Sequence, residues 1–399
     1  MACIAILGFG NIGSGVAELL LRNQKAIVDA SGESVYVKYV LDKRDLSGTG
    51  YEDRVAKSIE EIVNDPEVTV VCEMMGGTQP AFDFSMAALK KGKSVVTSNK
   101  AVVAKYGVEL IQTAKENGVY YLYEASVGGG IPIMHAFNDS LRGLNVKRID
   151  GILNGTTNYI LTRMHDCSSG FEEALAEAKR LGYAEADPTA DVSGADACRK
   201  ICILAAVAWG GLVSFEKVYC KGITEITAKQ NDFAVKCGGA LKLVGTAQKE
   251  DDSIYLTVSP AVVLQSNPLS SVSGVFNAVK VYDEDMGDLM FYGMGAGKYP
   301  TSCAVISDII VAVGSRSGVS GQKSFFDSDA PLIKHEDALE NYCIAIKADK
   351  ETVSGKVKDC CVLSEENGVV YLLCERIGKS DLQSAFDGFE ILELMRAIV

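Results

Sequence analysis

The sequence predicts an α/β chain. A doubly wound, mostly parallel sheet comes first, an α+β domain follows, and a small α+β unit closes the chain. Three observations carry this reading. Short β-like runs alternate with helical ones from residue 3 to residue 123, the motif GFGNIG stands between the first strand and the first helix, and the alternation stops at Gly128-Gly129-Gly130.

Each element follows from local pattern. Residues 3–7 form an apolar strand, 13–22 a helix, 35–41 a strand with β-branched residues and 58–63 a short helix. Residues 68–72 make a third strand, 82–90 a helix, 94–97 a fourth strand, 106–116 a helix and 120–123 a fifth strand. That order places helices on both faces of a parallel sheet. Beyond the glycines, helices at 172–179 and 195–208 mix with strands such as 253–258, and an apolar helix at 303–313 follows GMGAGKYP. Residues 342–347, 368–374 and 391–399 read as strands with little helical material between them. The expected division is 1–130 for dinucleotide binding with 303–318 packing back on it, 131–302 for substrate, a linker at 319–339, and a small unit at 340–399.

Composition narrows the function. Hydrophobic residues make up 48% and charged residues 23% of 399, which suits a soluble globular chain. A net charge of −13 with basic clusters no longer than pairs such as Lys90-Lys91 disfavours nucleic acid. Three histidines with no second ligand at metal spacing argue against a transition-metal site. No basic leader precedes MACIAILGFG and no apolar run reaches membrane-spanning length, so neither a signal peptide nor a membrane span is expected. The twelve cysteines, with Cys202, Cys303 and Cys343 in apolar runs and no CxxC partner for Cys360-Cys361, read as reduced and cytoplasmic.

Gly8, Gly10 and Gly13 of GFGNIG have the Rossmann-type roles of tight turn, close approach to pyrophosphate, and helix–strand packing. Asn11 and Ile12 open the helix whose N-terminal N–H groups would face the phosphates. Asp42 at the end of the second strand suits a ribose 2′-hydroxyl, whereas Lys43 and Arg44 suit a 2′-phosphate, so NAD and NADP both stand, with Asp42 tipping the balance slightly to NAD and the basic pair allowing dual use. Thr97, Ser98 and Lys100 sit at the C-terminal end of the fourth strand, where parallel sheets bind ligands. Lys100 reads either as facing a substrate oxygen or as a solvated lysine opening a helix. Glu124 before ASVGGGIP reads as a cation site with backbone carbonyls or as a simple turn. The run Asn154-Gly155-Thr156-Thr157-Asn158 is a helix cap or a polar-ligand loop. In DPTADVSGADACRK, Asp191 or Ser193 can cap the helix beginning near Ala195, while Asp196 and Lys200 share a helix face four residues apart, with Glu185 and Asp187 upstream. A lysine entering the apolar run 201–207 favours a lined pocket over a solvated face.

Six stretches give the chain a family likeness: GFGNIG, TSNK at 97–100, EASVGGGIP at 124–132, GILNGTTNYI at 151–160, GYAEADPTADVSGADACRK at 182–200 and GMGAGKYPTSCAVISDI at 293–309. Over about the first 315 residues it resembles homoserine dehydrogenases, which interconvert L-homoserine and L-aspartate 4-semialdehyde with NAD or NADP in threonine and methionine biosynthesis. The resemblance implies Lys200 as acid/base, Asp196 beside it, and Lys100 as a second lysine at the reacting oxygen. It implies Glu185, Asp191, Gly155 and Thr156 for the amino-acid substrate, and Gly297 for the cofactor. Glu124, Val127, Gly129 and Ile131 match a sodium site, and the second domain would form a homodimer. Two lysines held close together would depress one another's pKa and leave one a base near neutral pH. Lys298-Tyr299 replaces a small apolar pair of the family, and residues 340–399 are similar to a shortened ACT domain with Glu351-Thr352 in place of its proline-glycine. The rival readings are another amino-acid-related dehydrogenase and a dinucleotide-sensing regulator without turnover.

Overall fold

The computed structural model describes residues 1–167, 169–314, 325–327, 330–356 and 360–399. The expected linker at 319–339 therefore lies partly outside the described residues, as do residues 315–318. The chain divides into two compact units: Met1–Leu144 with Cys202–Phe215 and Gly293–Asp329, and Asn145–Ile201 with Glu216–Tyr292 and Ala330–Val399.

The first unit is built on a five-stranded parallel sheet. Its strands, in spatial order, are Val35–Leu41, Ala2–Leu7, Val68–Glu73, Ser94–Thr97 and Tyr121–Leu122. Ala2–Leu7 and Val68–Glu73 are buried almost throughout, as expected of parallel strands covered on both faces. The helix Lys298–Gly314 closes one face, with Ala304, Val305, Ile306 and Ile309 in the same apolar core as Ile4, Ile6 and Val16. Two helices here escape the hydrophobic pattern. Gln24–Ser31 buries only Ile27, and Ile133–Asn138 is six residues long, so neither shows a clear stripe.

A ten-stranded sheet organises the second unit, in the order Leu289–Met294, Phe276–Asp283, Val146–Ile152, Gly239–Glu250, Ser253–Leu264, Glu390–Ile398, Glu340–Lys347, Val369–Ile377 and Cys360–Glu366. Tyr219–Cys220 adds a short strand beside Ser253–Leu264. The long antiparallel hairpin 239–264 is in register from Ser253↔Glu250 to Leu264↔Gly239. Helices Gly155–Cys167, Phe171–Arg180 and Ala228–Lys236 also belong to this unit.

The last sixty residues form the small α+β unit that the sequence predicts, with more helix than its local pattern shows. They contain two helices, Lys350–Lys356 and Lys379–Ala385, giving β-α-β-β-α-β order rather than strands with little helix. The first helix reads KETVSGK, whose Thr, Val, Ser and Gly are weak helix formers, so propensity hides it. Their strands also continue the main sheet through the parallel pairs Val262↔Ala397 and Val263↔Ile398. Cys360 and Cys374 lie directly opposite on antiparallel strands, with Cα atoms 4.3 Å apart, and are joined as a disulfide. The expectation that every cysteine is reduced is corrected at this pair. Cross-strand register, which spacing along the chain does not reveal, brings them together.

Lys242 is buried beneath the helix Gly155–Cys167, where Nζ donates to the Val272 carbonyl at 2.6 Å. Burial lowers its pKa from 10.5 to about 8. For a base held below its unfolded value, the cost to the native state is full below about pH 8 and vanishes above 10.5. Lys242→Met should therefore raise the unfolding free energy at pH 7 by about 1–3 kcal/mol, a gain that fades toward pH 10.5. The Val272 carbonyl keeps the Asn158 Nδ2 donor at 3.2 Å. Denaturant titrations at both pH values check this; an equal gain at each would show that the lysine's charge is not its cause.

Candidate active site

In the first unit, the glycine loop has the geometry that its sequence requires. Gly8 has φ +89°, and a Cβ there would meet the Met74 carbonyl oxygen at 2.7 Å. A Cβ at Gly13 would strike the Gly8 carbonyl, whereas at Gly10 the nearest atom is Arg44 Nη2 at 3.7 Å, so the backbone is open there. Asn11 begins the helix Asn11–Arg22, whose free N–H groups suit a phosphate. A cavity of about 860 Å³ runs past Gly8, Gly10, Asp42, Arg44, Lys57 and Met74. These residues fit a dinucleotide.

Asp42 is already engaged. Its Oδ2 accepts from Phe9 N at 2.5 Å and Arg44 Nη2 at 2.6 Å, and its Oδ1 accepts from Arg44 N and Nε at 2.9 Å each. The guanidinium, aided by backbone N–H donors, holds this carboxyl far below the usual range. Lys43 and Arg44 line the same cavity.

Behind the loop lies a residue that sequence reading passed over. Glu73, fully buried at the end of its strand, accepts from Thr97 Oγ1 at 2.7 Å and from Met75 N at 2.8 Å. Burial raises its pKa despite these bonds. Thr97 Oγ1 in turn accepts from Asn99 N at 2.9 Å, and Asn99 Nδ2 donates to the Gly77 carbonyl at 2.8 Å. Thr97 and Asn99 thus brace the turn that follows Glu73, while half-buried Ser98 and Lys100 stand at the start of the helix Lys100–Glu116. Gly297, at φ +117°, precedes the helix Lys298–Gly314. Lys298 Nζ pairs with Glu18 Oε1 at 2.5 Å and Tyr299 OH donates to Glu18 Oε2 at 3.1 Å, so the unusual pair is tied to the first helix.

Glu124, 1% exposed, accepts from Met134 N at 3.0 Å and His135 N at 2.6 Å. Its own N–H donates to Asp308 Oδ2 at 2.9 Å, and His135 Nε2 lies 3.0 Å from Asp308 Oδ1. Burial, then the Asp308 charge, push Glu124 up to about 7, and the bond to Asp308 raises His135 to about 9. The loop to Ile131 turns through left-handed Gly128 and Gly129 and buries Val127 and Ile131. Each Glu124 oxygen retains a lone pair beside its amide donor. Among the described residues, no group of three or more His, Cys, Asp and Glu side chains forms a metal site.

The second unit gathers the polar end of DPTADVSGADACRK around Asn154, which follows the strand Val146–Ile152. Asn154 Nδ2 donates to Asp191 Oδ1 at 2.7 Å and to Asp196 Oδ2 at 2.9 Å, while its Oδ1 accepts from Thr157 N. Lys200 Nζ lies 2.7 Å from Asp196 Oδ2 and donates to the Leu153 carbonyl at 2.7 Å. Asp196 is 3% and Lys200 8% exposed, so the alternative of a surface ion pair does not hold. Asp191 faces Asn154, and Ser193 Oγ accepts weakly from Ala195 N at 3.5 Å. Thr156 Oγ1 donates to the Tyr183 carbonyl at 2.7 Å, and a Cβ at Gly155 would meet the Val275 carbonyl oxygen at 2.7 Å. Glu185 is exposed, and Asp187 accepts from Thr189 in a local turn. Asn154 is the hub that sequence reading offered only as part of a polar run.

Known proteins resemble the chain over most of its length. The family model for homoserine dehydrogenase matches residues 132–310, and that for the NAD-binding domain of homoserine dehydrogenase matches residues 8–124. The chain is 43% identical over 324 residues to a homoserine dehydrogenase of Synechocystis, covering 78% of this chain and 73% of that protein. It is 42% identical to one of Bacillus subtilis, covering 80% and 74%. A crystal structure of a homoserine dehydrogenase from Thiobacillus denitrificans superposes with a TM-score of 0.88 at 30% identity, over 100% of this chain and 98% of that one. A hyperthermophilic archaeal homoserine dehydrogenase mutant in complex with NADPH gives 0.67 at 30% identity, over 78% and 97%.

Proposed function

The chain belongs to the homoserine dehydrogenase family, and from that premise we propose that Lys200 exchanges the proton of the reaction while Asp196 and Asn154 hold it in place. The enzyme interconverts L-homoserine and L-aspartate 4-semialdehyde with NAD(P). When bound, the nicotinamide cofactor supplies the hydride acceptor or donor. Oxidation of the alcohol also releases a proton, and the Lys200 amine receives it; in the reverse direction its ammonium returns the proton and stabilises charge growing on the aldehyde oxygen. The observation that carries the reading is the buried Lys200–Asp196 pair at 2.7 Å. Asp191, Gly155 and Thr156, close in the chain or by hydrogen bond to Asn154, orient the amino acid with exposed Glu185 as partner for its ammonium.

In the first unit, Gly8, Gly10, Asn11, Ile12 and Gly13 cradle the pyrophosphate. Thr97, Ser98, Lys100 and Gly297 line the remainder of the cofactor site, and Lys100 also faces the reacting oxygen. Glu124, with the carbonyls of Val127, Gly129 and Ile131, holds a sodium ion. Assembly is a homodimer through the second domain. The cytoplasm is the expected compartment, since ten cysteines remain free thiols.

Cofactor choice follows from Asp42. Arg44 and Phe9 occupy both carboxylate oxygens, so a ribose hydroxyl must displace Arg44, whereas a 2′-phosphate can recruit Arg44 and Lys43. Homoserine oxidation should accordingly proceed with both cofactors and favour NADP. Removing one charged donor is worth about 1.5–3 kcal/mol, so Arg44→Ala should raise KM for NADP about 10–100-fold and lower KM for NAD, whose ribose no longer competes with the guanidinium for Asp42. Equal shifts for the two would discard this assignment, and absence of any homoserine-dependent reduction would sink the function itself.

A further inference from the structure

Glu73 is an acid that the reaction as described leaves without a task. It ends the strand Val68–Glu73, central in the five-stranded sheet, and is fully buried like Val70, Val71 and Cys72 before it. Two turns meet there. On one side its neighbour closes on the glycine loop: Met74 N donates to the Leu7 carbonyl at 2.8 Å, and a Cβ at Gly8 would meet the Met74 carbonyl oxygen at 2.7 Å. On the other side the Glu73 carbonyl accepts from Ser98 N at 3.3 Å, and Oε2 accepts from Thr97 Oγ1 at 2.7 Å. Oε1 accepts from Met75 N at 2.8 Å and from Asn99 Nδ2 at 3.4 Å. Thr97 Oγ1 accepts in turn from Asn99 N at 2.9 Å, and Asn99 Oδ1 accepts from Val102 N at 3.3 Å at the start of the helix Lys100–Glu116. Ser98 and Lys100 therefore stand within and just after residues that one carboxylate fixes.

We propose that Glu73 is a positioning residue for the reaction: its carboxylate sets the turn from Thr97 to Asn99 and so holds the Lys100 amine at the reacting oxygen. The inference rests on the role given to Lys100 above. The direction of the hydrogen bonds calls for an acid at this position. None of its three donors is charged, so hydrogen bonds rather than an ion pair offset its burial. Burial raises its pKa, and the same three donors oppose the rise. A glutamine of the same shape would bring an NH2 group to the place of one oxygen. There it would face the Met75 N–H, donor against donor, or oblige the Thr97 hydroxyl to turn its hydrogen away from residue 73. Packing gives no reason for an acid at the end of so apolar a strand, whereas donors converging from its own end and from the next strand's end do.

A double-mutant cycle on the full chain tests it, read as kcat for homoserine oxidation at saturating homoserine and NADP. Lys100→Ala should lower kcat at least about 100-fold, as expected on losing a positive group at the developing oxyanion. Glu73→Gln should lower it about 10–100-fold, the effect of displacing a reacting group. Because Glu73 acts through Lys100, the double variant should stay within about twofold of Lys100→Ala alone. A purely structural glutamate would instead lower kcat by the same factor whether or not Lys100 is present. Thr97→Val leaves the Glu73 carboxylate in place but removes the hydroxyl that links it to Asn99; it should lower kcat as Glu73→Gln does, and it completes the cycle with Lys100→Ala if Glu73→Gln does not fold. Wild-type kcat in Glu73→Gln, or a double variant in which the two losses multiply, overturns the proposal while leaving the role of Lys100 intact. Wild-type kcat in Lys100→Ala removes that role itself, and the proposal with it.

Discussion

Lys200→Ala is expected to lower kcat for homoserine oxidation about 10²–10⁴-fold, the usual worth of a positioned acid/base. The lysine has little freedom to be replaced by a neighbour. Its Nζ is fixed by Asp196 Oδ2 and the Leu153 carbonyl, both at 2.7 Å, and it is 8% exposed. Alanine at this position removes the proton acceptor and takes from Asp196 the ammonium that lies 2.7 Å from its Oδ2. The readout is initial rate at saturating homoserine with NADP, beside fluorescence titration of NADPH. Cofactor binding should stay within a few-fold, because the glycine loop, Asp42 and Arg44 all belong to the first unit. Activity retained within a few-fold would remove Lys200 from the proton-transfer role.

The second expected result separates stability from catalysis at the same pair. Breaking a buried ion pair by removing one partner costs about 3–5 kcal/mol, because the other charge is left unmatched. Asp196→Leu should therefore lower the unfolding free energy by several kcal/mol and reduce kcat at least about 100-fold. Adding Lys200→Met removes the orphaned charge, and the double variant should regain most of the lost stability while remaining inactive. Asn154 keeps its bond to Asp191 Oδ1 at 2.7 Å in every variant, so the loop retains one anchor. Denaturant unfolding and the homoserine assay measure the two quantities independently. A double variant no more stable than Asp196→Leu would mean that the pair's charges are not what couples these residues.

Much of this is legible in the sequence, and the reasons for the rest are specific. The parallel sheet was readable because its strands are short, apolar and separated by helical pattern; strand Val35–Leu41 and strand Ser94–Thr97 fall on the expected residues. The helix Ala195–Trp209 announced itself through an apolar run behind two charges. Other features depend on partners distant in sequence. Glu73 matters because Thr97 and Asn99 reach it from the next strand's end, and Asp308 matters because Glu124 and His135 meet it across 184 and 173 positions. No periodicity encodes those meetings. At the start of the helix Gly155–Cys167 the sequence offers a helix cap or a polar-ligand loop, since Gly155, Thr156, Thr157 and Asn158 are weak helix formers. Asn154 Oδ1, accepting from Thr157 N at 2.8 Å, supplies what propensity lacks.

The join between the C-terminal strand and the hairpin sets a rule for anyone exchanging that module. Among the described residues Val262↔Ala397 and Val263↔Ile398 pair across it, so a graft has these two rungs on which to find its alignment. A slip of one residue would exchange the faces of every side chain on the incoming strand. Arg396, beside the first rung, would then lose Thr246 Oγ1 at 3.0 Å and the Val244 carbonyl at 3.3 Å and carry its charge to the opposite face. The arginine thus acts as a phase marker for modular engineering: a transplanted unit that lacks it has nothing to report a misaligned splice.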